Sequence, residues 1–207
     1  MKSKFMSVIL IVVLFIASYM PVSEVTANEN DKVEIKSINL WNTSAAIASN
    51  GDLYCWGFNG YVGNGTTNDQ HTPVKVLENV KETVLENNTT AAITEDGDLY
   101  CWGDNKYGQV GNGATDNQLT PVKVLENVKE FYLDYYTAAA ITENGDLYCW
   151  GFNLGGQIGN GSTVNQLTPV KVLSNVRKFC IDSLTSAAIT ENGDLYCWGY
   201  NEYGEVG

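Results

Sequence analysis

The chain has 207 residues, of which 44% are hydrophobic and 17% charged, and this balance excludes a collagen-like or disordered chain. Its 12 Lys and Arg against 24 Asp and Glu give a net charge of −12. Such a charge repels a phosphate backbone, so we expect no nucleic-acid partner. The 20 Gly, 5 Trp and 12 Tyr favour strands and turns, and they predict an all-β fold.

The first 27 residues have the pattern of a secretory signal peptide. Two lysines precede an apolar run over residues 5–20, and Val25-Thr26-Ala27 supplies small residues for cleavage. The run is shorter than the roughly 20 residues that a spanning helix needs, so we expect cleavage and not a membrane anchor. We therefore predict a signal peptide over 1–27, a short linker over 28–35, no membrane span in the mature chain, and an extracellular or cell-surface location.

The pentapeptide Leu-Tyr-Cys-Trp-Gly occurs four times, and its copies begin 46, 48 and 48 residues apart. The flanking sequence repeats with it, which indicates one supersecondary unit stacked on copies of itself. The first unit lacks two residues before Val62, and we expect this to shorten one loop only. The units are placed at about 36–84, 85–132, 133–180 and, for an incomplete copy, 181–207.

Each unit divides into four short strands. In the third unit, Asn144-Gly145 predicts a type I′ turn between the first two strands. The third strand begins after Pro169, because proline is tolerated at the first position of a strand. The four strands are placed at 137–142, 146–150, 170–173 and 176–181, the last of which closes the unit.

Four antiparallel strands in each unit, with no segment of helical period, are typical of the blades of a β-propeller. The motif Gly-Asp-Leu-Tyr-Cys-Trp-Gly-x-Asn, followed by Tyr107-Gly108-Gln109-Val110-Gly111 and then Thr-Pro-Val, resembles the repeat of the regulator of chromosome condensation family, in its exported bacterial type. The resemblance runs from about Lys36 to Gly207. It implies a propeller of roughly seven four-stranded blades, of which about three and a half are present here. We expect missing blades or, if the chain is complete, self-association, because bare blade faces would expose large apolar patches.

Packing explains the repeated Tyr-Cys-Trp, because neighbouring blades cover both faces of an inner propeller sheet. Packed sheets are about 10 Å apart, which exceeds the ~7 Å Cα separation that a disulfide allows. We therefore expect these cysteines to be free, buried thiols that form no zinc site. The aspartate after each turn glycine is explained better by turn formation than by calcium binding. No metal or cofactor is predicted. The repeat cysteines are Cys55, Cys101, Cys149 and Cys197.

The sequence contains little that could support catalysis. Its single histidine, His71, lies in a predicted loop where two other units have leucine, so no histidine-centred triad or metal cluster can form. Carboxylate-based hydrolysis stays open as an alternative, although no acidic pair departs from the repeat. We predict that the protein is not an enzyme.

Two adjacent positions vary strongly between units, five and six residues before the Ile of Ala-Ala-Ile. They are rich in Trp, Tyr and Asn, the types that form binding hot spots and adaptable contacts, and the resemblance places them toward one end of the central channel. The loop after each Trp-Gly pair also varies, and ordinary surface drift is the competing explanation for both. The candidate binding residues are Trp41, Asn42, Asn87, Asn88, Tyr135, Tyr136, Ser183 and Leu184.

We therefore predict an exported, non-catalytic recognition module that binds a protein or a surface glycan through one propeller face. Some exported bacterial relatives are propeller-type inhibitors of β-lactamases, so the resemblance makes inhibition of a secreted enzyme a special case. A secreted carboxylate-based hydrolase is the alternative. Guanine nucleotide exchange on a small GTPase, for which the family is known, is disfavoured by the export signal and the negative charge.

Overall fold

The computed structural model describes residues 34–58 and 60–207. These residues form fifteen β-strands and their turns, with no helix in the described ranges. The predicted signal peptide over 1–27 and most of the predicted linker lie outside the described residues. The all-β prediction is confirmed.

The strands form four antiparallel sheets that follow one another in chain order. The first sheet contains β1 (Ile35–Leu40), β2 (Thr43–Ala48), β3 (Leu53–Gly57) and β4 (Gln70–Leu77). The second contains β5 (Val80–Glu86), β6 (Thr89–Thr94), β7 (Leu99–Gly103) and β8 (Gln118–Leu125). The third contains β9 (Val128–Asp134), β10 (Thr137–Thr142), β11 (Leu147–Gly151) and β12 (Gln166–Leu173). The fourth contains β13 (Val176–Asp182), β14 (Thr185–Thr190) and β15 (Leu195–Gly199).

These sheets are the blades of a partial propeller, and the first strands of successive sheets lie beside one another. The predicted order of strands within a unit needs one correction: β13 pairs with β14 and not with β12, so it opens the fourth sheet and does not close the third. The preceding Asn175 has a φ of 57° and redirects the chain to the next sheet. Its carbonyl accepts a hydrogen bond from Glu191 N at 2.8 Å, while Val176 N donates to Gly145 O at 2.8 Å.

The hairpin between β10 and β11 is present, but the predicted type I′ turn is wrong. Gly145 has a φ of 80°, whereas Asn144 is not in the left-handed region. Gly145 N donates to Thr142 O at 2.9 Å and Thr142 N to Asp146 O at 3.0 Å. This pattern is a three-residue loop that ends in a left-handed glycine, so only the glycine requires a positive φ.

Two further placements differ from prediction. Pro169 lies inside β12 and not at its start, and this is tolerated because β12 is the edge strand of its sheet and its register with β11 shifts between Cys149 and Gly151. His71 is exposed near the start of strand β4 and not in a loop.

The core lies between the sheets, because side chains of each Leu-Tyr-Cys-Trp-Gly strand alternate between two neighbouring sheets. Leu99 and Cys101 of β7 pack in one cluster with Trp150 of the third sheet. Trp102, also on β7, packs in another cluster with Cys55 of the first sheet. All five residues are fully buried. The prediction that the repeated motif serves packing is therefore confirmed for these strands.

The predicted burial of the repeat cysteines holds for three of the four. Cys55, Cys101 and Cys149 are buried free thiols, and burial raises the pKa of Cys55 to about 12. Cys197 is exposed, so its predicted burial is wrong. Within the described part of the chain no further sheet covers that face of the fourth sheet, where Leu195 is 66% exposed.

The shorter first unit changes more than a loop. Trp150 Nε1 donates to Gln109 O at 2.9 Å and Trp198 Nε1 to Gln157 O at 2.8 Å, each across a sheet interface. Trp102 Nε1 is buried and has no hydrogen-bond partner among the described residues. The two missing residues are the Gly-Gln pair whose glutamine carbonyl accepts this bond in the other units. The expectation that the deletion shortens one loop only is therefore wrong.

Candidate functional site: the turn face

The predicted binding residues all lie in two-residue turns between the first and second strands of their sheets. The four turns therefore sit at the same end of the four blades. We call the turn face the surface made by these turns and by the loop that follows each Trp-Gly pair. The turns are Trp41-Asn42, Asn87-Asn88, Tyr135-Tyr136 and Ser183-Leu184.

Both variable segments of a unit belong to this one surface. Thr137 pairs with Gly151 in the β10–β11 ladder, so the turn before β10 and the loop after β11 meet at the same end. Phe152 N donates to Tyr136 O at 2.9 Å. The approach is close: a Cβ on Gly151, whose φ is 96°, would collide with that carbonyl oxygen. The equivalent bonds are Phe58 N to Asn42 O at 3.1 Å, Asp104 N to Asn88 O at 2.9 Å and Tyr200 N to Leu184 O at 3.0 Å.

From the sequence, the turn between the first two strands and the loop after each Trp-Gly pair were separate candidates, and their contact in one surface was missed. The signal was present, because a turn that precedes one strand of an antiparallel pair lies beside the residues that follow its partner.

Hydrogen bonds connect the turns of successive blades into a row. Asn42 Nδ2 donates to Asn88 Oδ1 at 3.0 Å, and Asn87 Nδ2 donates to Tyr135 O at 2.9 Å. Ser183 N donates to an Asp134 carboxylate oxygen. The candidate residues of all four blades thus form one continuous surface.

Four aromatic rings from the second and third blades form the densest part of the turn face. Tyr107 lies 4.8 Å from Tyr136 and 5.0 Å from Phe152, measured between ring centres. Tyr135 lies 4.7 Å from Tyr136 and 6.2 Å from Phe152. We call these four residues the aromatic cluster. Trp41 is not part of it, and within the described residues its ring stacks on no other ring.

Charged groups border the aromatic cluster. Lys106 Nζ lies 5.3 Å from the centre of the Tyr107 ring. Burial raises the pKa of Tyr136, and the negative charge of Asp104 raises it further. Both charges therefore lie close enough to act on the cluster.

Carboxylates recur at the last residue of three consecutive first strands, Glu86, Asp134 and Asp182. Together with Asp104 they form no ion pair with a lysine or arginine among the described residues. Burial raises the pKa of Glu86, and the neighbouring charge of Asp134 raises it further. The turn face is therefore aromatic and acidic.

The backbone of this row includes unfavourable conformations. Tyr135 has a φ of 54° and Ser183 a φ of 52°, while the equivalent Asn87 has 45°. Asparagine tolerates a positive φ, but a bulky residue there is an outlier that costs on the order of 1 kcal/mol or more. Folding alone would favour asparagine at position 135, so tyrosine at this place points to a contribution outside the fold.

Large exposed apolar side chains concentrate on the turn face. Tyr135 is 49% exposed and Trp41 51% exposed, in contrast to the fully buried repeat residues. Exposed apolar or aromatic side chains on this face are Trp41, Phe58, Tyr135, Leu154, Tyr200 and Tyr203.

Lysines pair with turn aspartates at the opposite end of the blades. The aspartates after the hairpin glycines pair with lysines of the fourth strands, Lys75–Asp52 at 2.8 Å, Lys123–Asp98 at 2.9 Å and Lys171–Asp146 at 2.7 Å. Among residues 34–58 and 60–207, no group of three or more His, Cys, Asp or Glu side chains is placed to hold a metal ion. No helix in these ranges could cross a membrane.

Comparison with known families places the repeat. The Regulator of chromosome condensation (RCC1) repeat matches residues 96–131 and 144–187, and a second description of the same repeat matches 183–205. No curated protein matches the chain by sequence.

Solved structures share the fold at low sequence identity. Human WBSCR16 has a TM-score of 0.66 at 20% identity, over 86% of this chain and 50% of that chain. Prp20p from Saccharomyces cerevisiae, a structure described with its binding to Gsp1p and histones, has a TM-score of 0.64 at 24% identity, over 80% and 43%. Yeast RCC1 (Prp20), solved with Kap60 bound to it, has a TM-score of 0.67 at 20% identity, over 86% and 45%. The chain thus spans about half the length of these proteins or less.

Proposed function

Because the chain is built from repeats of the regulator of chromosome condensation family, we propose that it is a non-catalytic recognition module that binds another protein through the turn face. A propeller of the same fold, yeast RCC1 (Prp20), is described together with protein partners in two structures. Their low identity supports the fold alone, so the choice of surface rests on this chain's own residues.

The observation that carries the proposal is the concentration of exposed aromatic side chains at one end of the blades. Soluble proteins rarely expose contiguous apolar surface without a use for it. Aromatic side chains bury much area at a low entropic cost and dominate binding hot spots. A protein partner that covers the turn face would bury Tyr135, Trp41 and Phe58 together.

The division between repeated and variable residues supports the same surface. Residues that pack between blades, such as Leu99, Cys101 and Trp102, recur in every unit, whereas the turn-face residues differ from blade to blade. A surface that recognises an asymmetric partner needs this variation. Drift would also vary the sequence, but it would not favour a tyrosine at a positive φ.

The proposal also includes a location outside the cytoplasm. The basic residues and apolar run before residue 27 support export, and the small residues at 25–27 support cleavage. The partner would then be an extracellular or cell-surface protein of a bacterium or its surroundings. A secreted enzyme, which the bound module would inhibit, belongs to this class.

The test is the triple variant Trp41→Ala, Tyr135→Ala, Tyr136→Ala. Immobilised parent protein and triple variant are incubated with proteins secreted by the source cells, and retained material is compared. We expect the parent to retain a partner and the variant to lose it, because truncating one aromatic anchor costs about 2 kcal/mol or more. Tyr196→Ala is the matched control, since Tyr196 is 45% exposed but lies on β15, away from the turns.

Two readouts separate the outcomes. The triple variant should melt within a few degrees of the parent by circular dichroism, because two of the three side chains are about half exposed. Retained material should be destroyed by protease and survive periodate, whereas the reverse result would identify a glycan ligand and overturn the protein partner. Equal retention by parent and triple variant would exclude the turn face.

A further inference from the structure

We infer that the aromatic cluster is a receptor for a lysine or arginine side chain on a basic segment of the protein partner. This inference rests on the proposed function and specifies the chemistry of the partner. It combines three observations: a ring face already occupied by a cation, carboxylates without cationic partners, and an opposite end of the blades where three aspartates already have lysine partners.

The first observation is the position of Lys106. Its ammonium lies 5.3 Å from the centre of the Tyr107 ring, within the distance at which the ring quadrupole attracts a cation. Lys106 is exposed, and the same ring contacts Tyr136 and Phe152. The chain's own lysine therefore shows that the cluster accepts an ammonium group, and its flexible stem lets a partner's cation replace it.

The second observation is the charge around the rings. Asp134 directly precedes Tyr135, and Glu86 precedes Asn87, whose amide donates to the Tyr135 carbonyl. Asp104 acts on the pKa of Tyr136. None of these carboxylates has a lysine or arginine partner in the part of the chain that the structure describes. An incoming cation would thus meet ring faces and negative charge at the same place.

The third observation distinguishes this surface from the opposite end of the blades. There, Asp52, Asp98 and Asp146 already have lysine partners within 3 Å. A cationic ligand would have to displace those lysines, whereas the turn-face carboxylates are available. An acidic partner would be repelled by the same groups, and a neutral glycan would leave them uncompensated.

The experiment uses synthetic peptides as probes. Isothermal titration compares peptides of alternating Arg and Gly, or Lys and Gly, with peptides in which Glu or Gln replaces the cation. We expect binding of the two basic peptides only. Tyr135→Leu keeps an apolar side chain but removes a ring face, and it should weaken binding about fivefold.

A matched pair of charge variants separates a local site from diffuse attraction. Glu86→Gln with Asp134→Asn removes two charges beside the cluster. Glu95→Gln with Glu143→Gln removes two charges at the opposite end of the blades, so the net charge changes equally. We expect about a tenfold loss for the first pair and little change for the second. Equal effects of the two pairs would overturn the inference.

Lys106→Met supplies the remaining test. Removing the resident cation should tighten binding of the basic peptides severalfold, and unchanged or weaker binding would contradict the inference. Failure of this inference can be distinguished from failure of the proposed function. Partner capture that depends on the turn face, without any binding of basic peptides, would sustain the proposed function and refute the cationic partner.

Discussion

The two ends of the blades are formed by hairpin turns of different length, and they carry different kinds of sequence. We call the end opposite the turn face the latch end, formed by the turns at residues 48–52, 94–98 and 142–146. Its turns bond to the chain that enters the next blade, with Val128 N donating to Gly97 O and Glu143 N donating to Asn127 O, both at 2.8 Å. The latch end joins blades through backbone hydrogen bonds and its sequence repeats, whereas the turn face joins blades through bonds that involve side chains and its sequence varies. The comparison thus distinguishes latch-end residues, which connect the blades, from turn-face residues, which are available for recognition.

Electrostatics differ in the same way. At the latch end Asp52, Asp98 and Asp146 each have a lysine partner, and such partly exposed pairs contribute about 0.2–1 kcal/mol each. At the turn face, carboxylates gather without lysine or arginine partners among the described residues, and the pKa of Glu86 is raised by burial and further by the charge of Asp134. Ion pairs stabilise the latch end, whereas neighbouring carboxylates repel one another at the turn face.

The largest effect on stability is expected at the latch end. Gly145→Val places a β-branched residue at a φ of 80° and brings its Cβ to 3.3 Å from the Asn175 Cα atom. Urea unfolding should show a loss of about 1–3 kcal/mol. Gly193→Val is the control, because it has a similar φ of 90° but no atom within 4 Å. A smaller loss there would measure the crowding between blades, and an unchanged midpoint for Gly145→Val would refute the assigned turn.

A smaller change in the free energy of unfolding is expected from one substitution at each end, with opposite signs. Ser183→Asn relieves a φ of 52° at the turn face and should stabilise the fold by about 0.5–1 kcal/mol. Asn127→Ser places serine at a φ of 56° at the latch end and should destabilise by a similar amount. Thermal melts of both variants measure the difference. Changes of the same sign would show that the turn face is no more strained than the latch end.

The smallest effect concerns pH. The hydrogen bond from Lys171 holds the pKa of Asp146 below its usual value, so its stabilising contribution is present near pH 7 and is lost as pH falls through the lowered pKa. The pKa of Glu86 is raised, chiefly by burial, so its ionisation destabilises the fold as pH rises above the usual glutamate value. Asp146→Asn should therefore destabilise at pH 7, and Glu86→Gln should stabilise slightly. Both differences should shrink in unfolding experiments at low pH, and persistence of either would contradict its assignment.

Much of the fold follows from the repeat, because the period and the alternating Leu-Tyr-Cys-Trp-Gly strand determine a blade buried on both faces. The assignment of β13 to the wrong sheet has a local cause. Ser174-Asn175 has the composition of a hairpin turn, but the Asn175 carbonyl and the Val176 amide that follows it bond to turns of two different sheets. Sequence pattern identified the four variable turns. It could not show that Tyr107 of the second blade packs against Tyr136 and Phe152 of the third, since those contacts depend on the distance between blades.

The repeated tryptophans give the molecule a set of intrinsic optical probes ordered along the chain. Trp102, Trp150 and Trp198 each pack against the preceding sheet, but their surroundings differ. Trp150 is buried with its indole N–H bonded, Trp102 is buried without a partner, and Trp198 is partly exposed. Their fluorescence should therefore differ in emission wavelength. Single Trp→Phe replacements would assign each spectral component to one interface, so the opening of individual blades could be followed in the order in which it occurs.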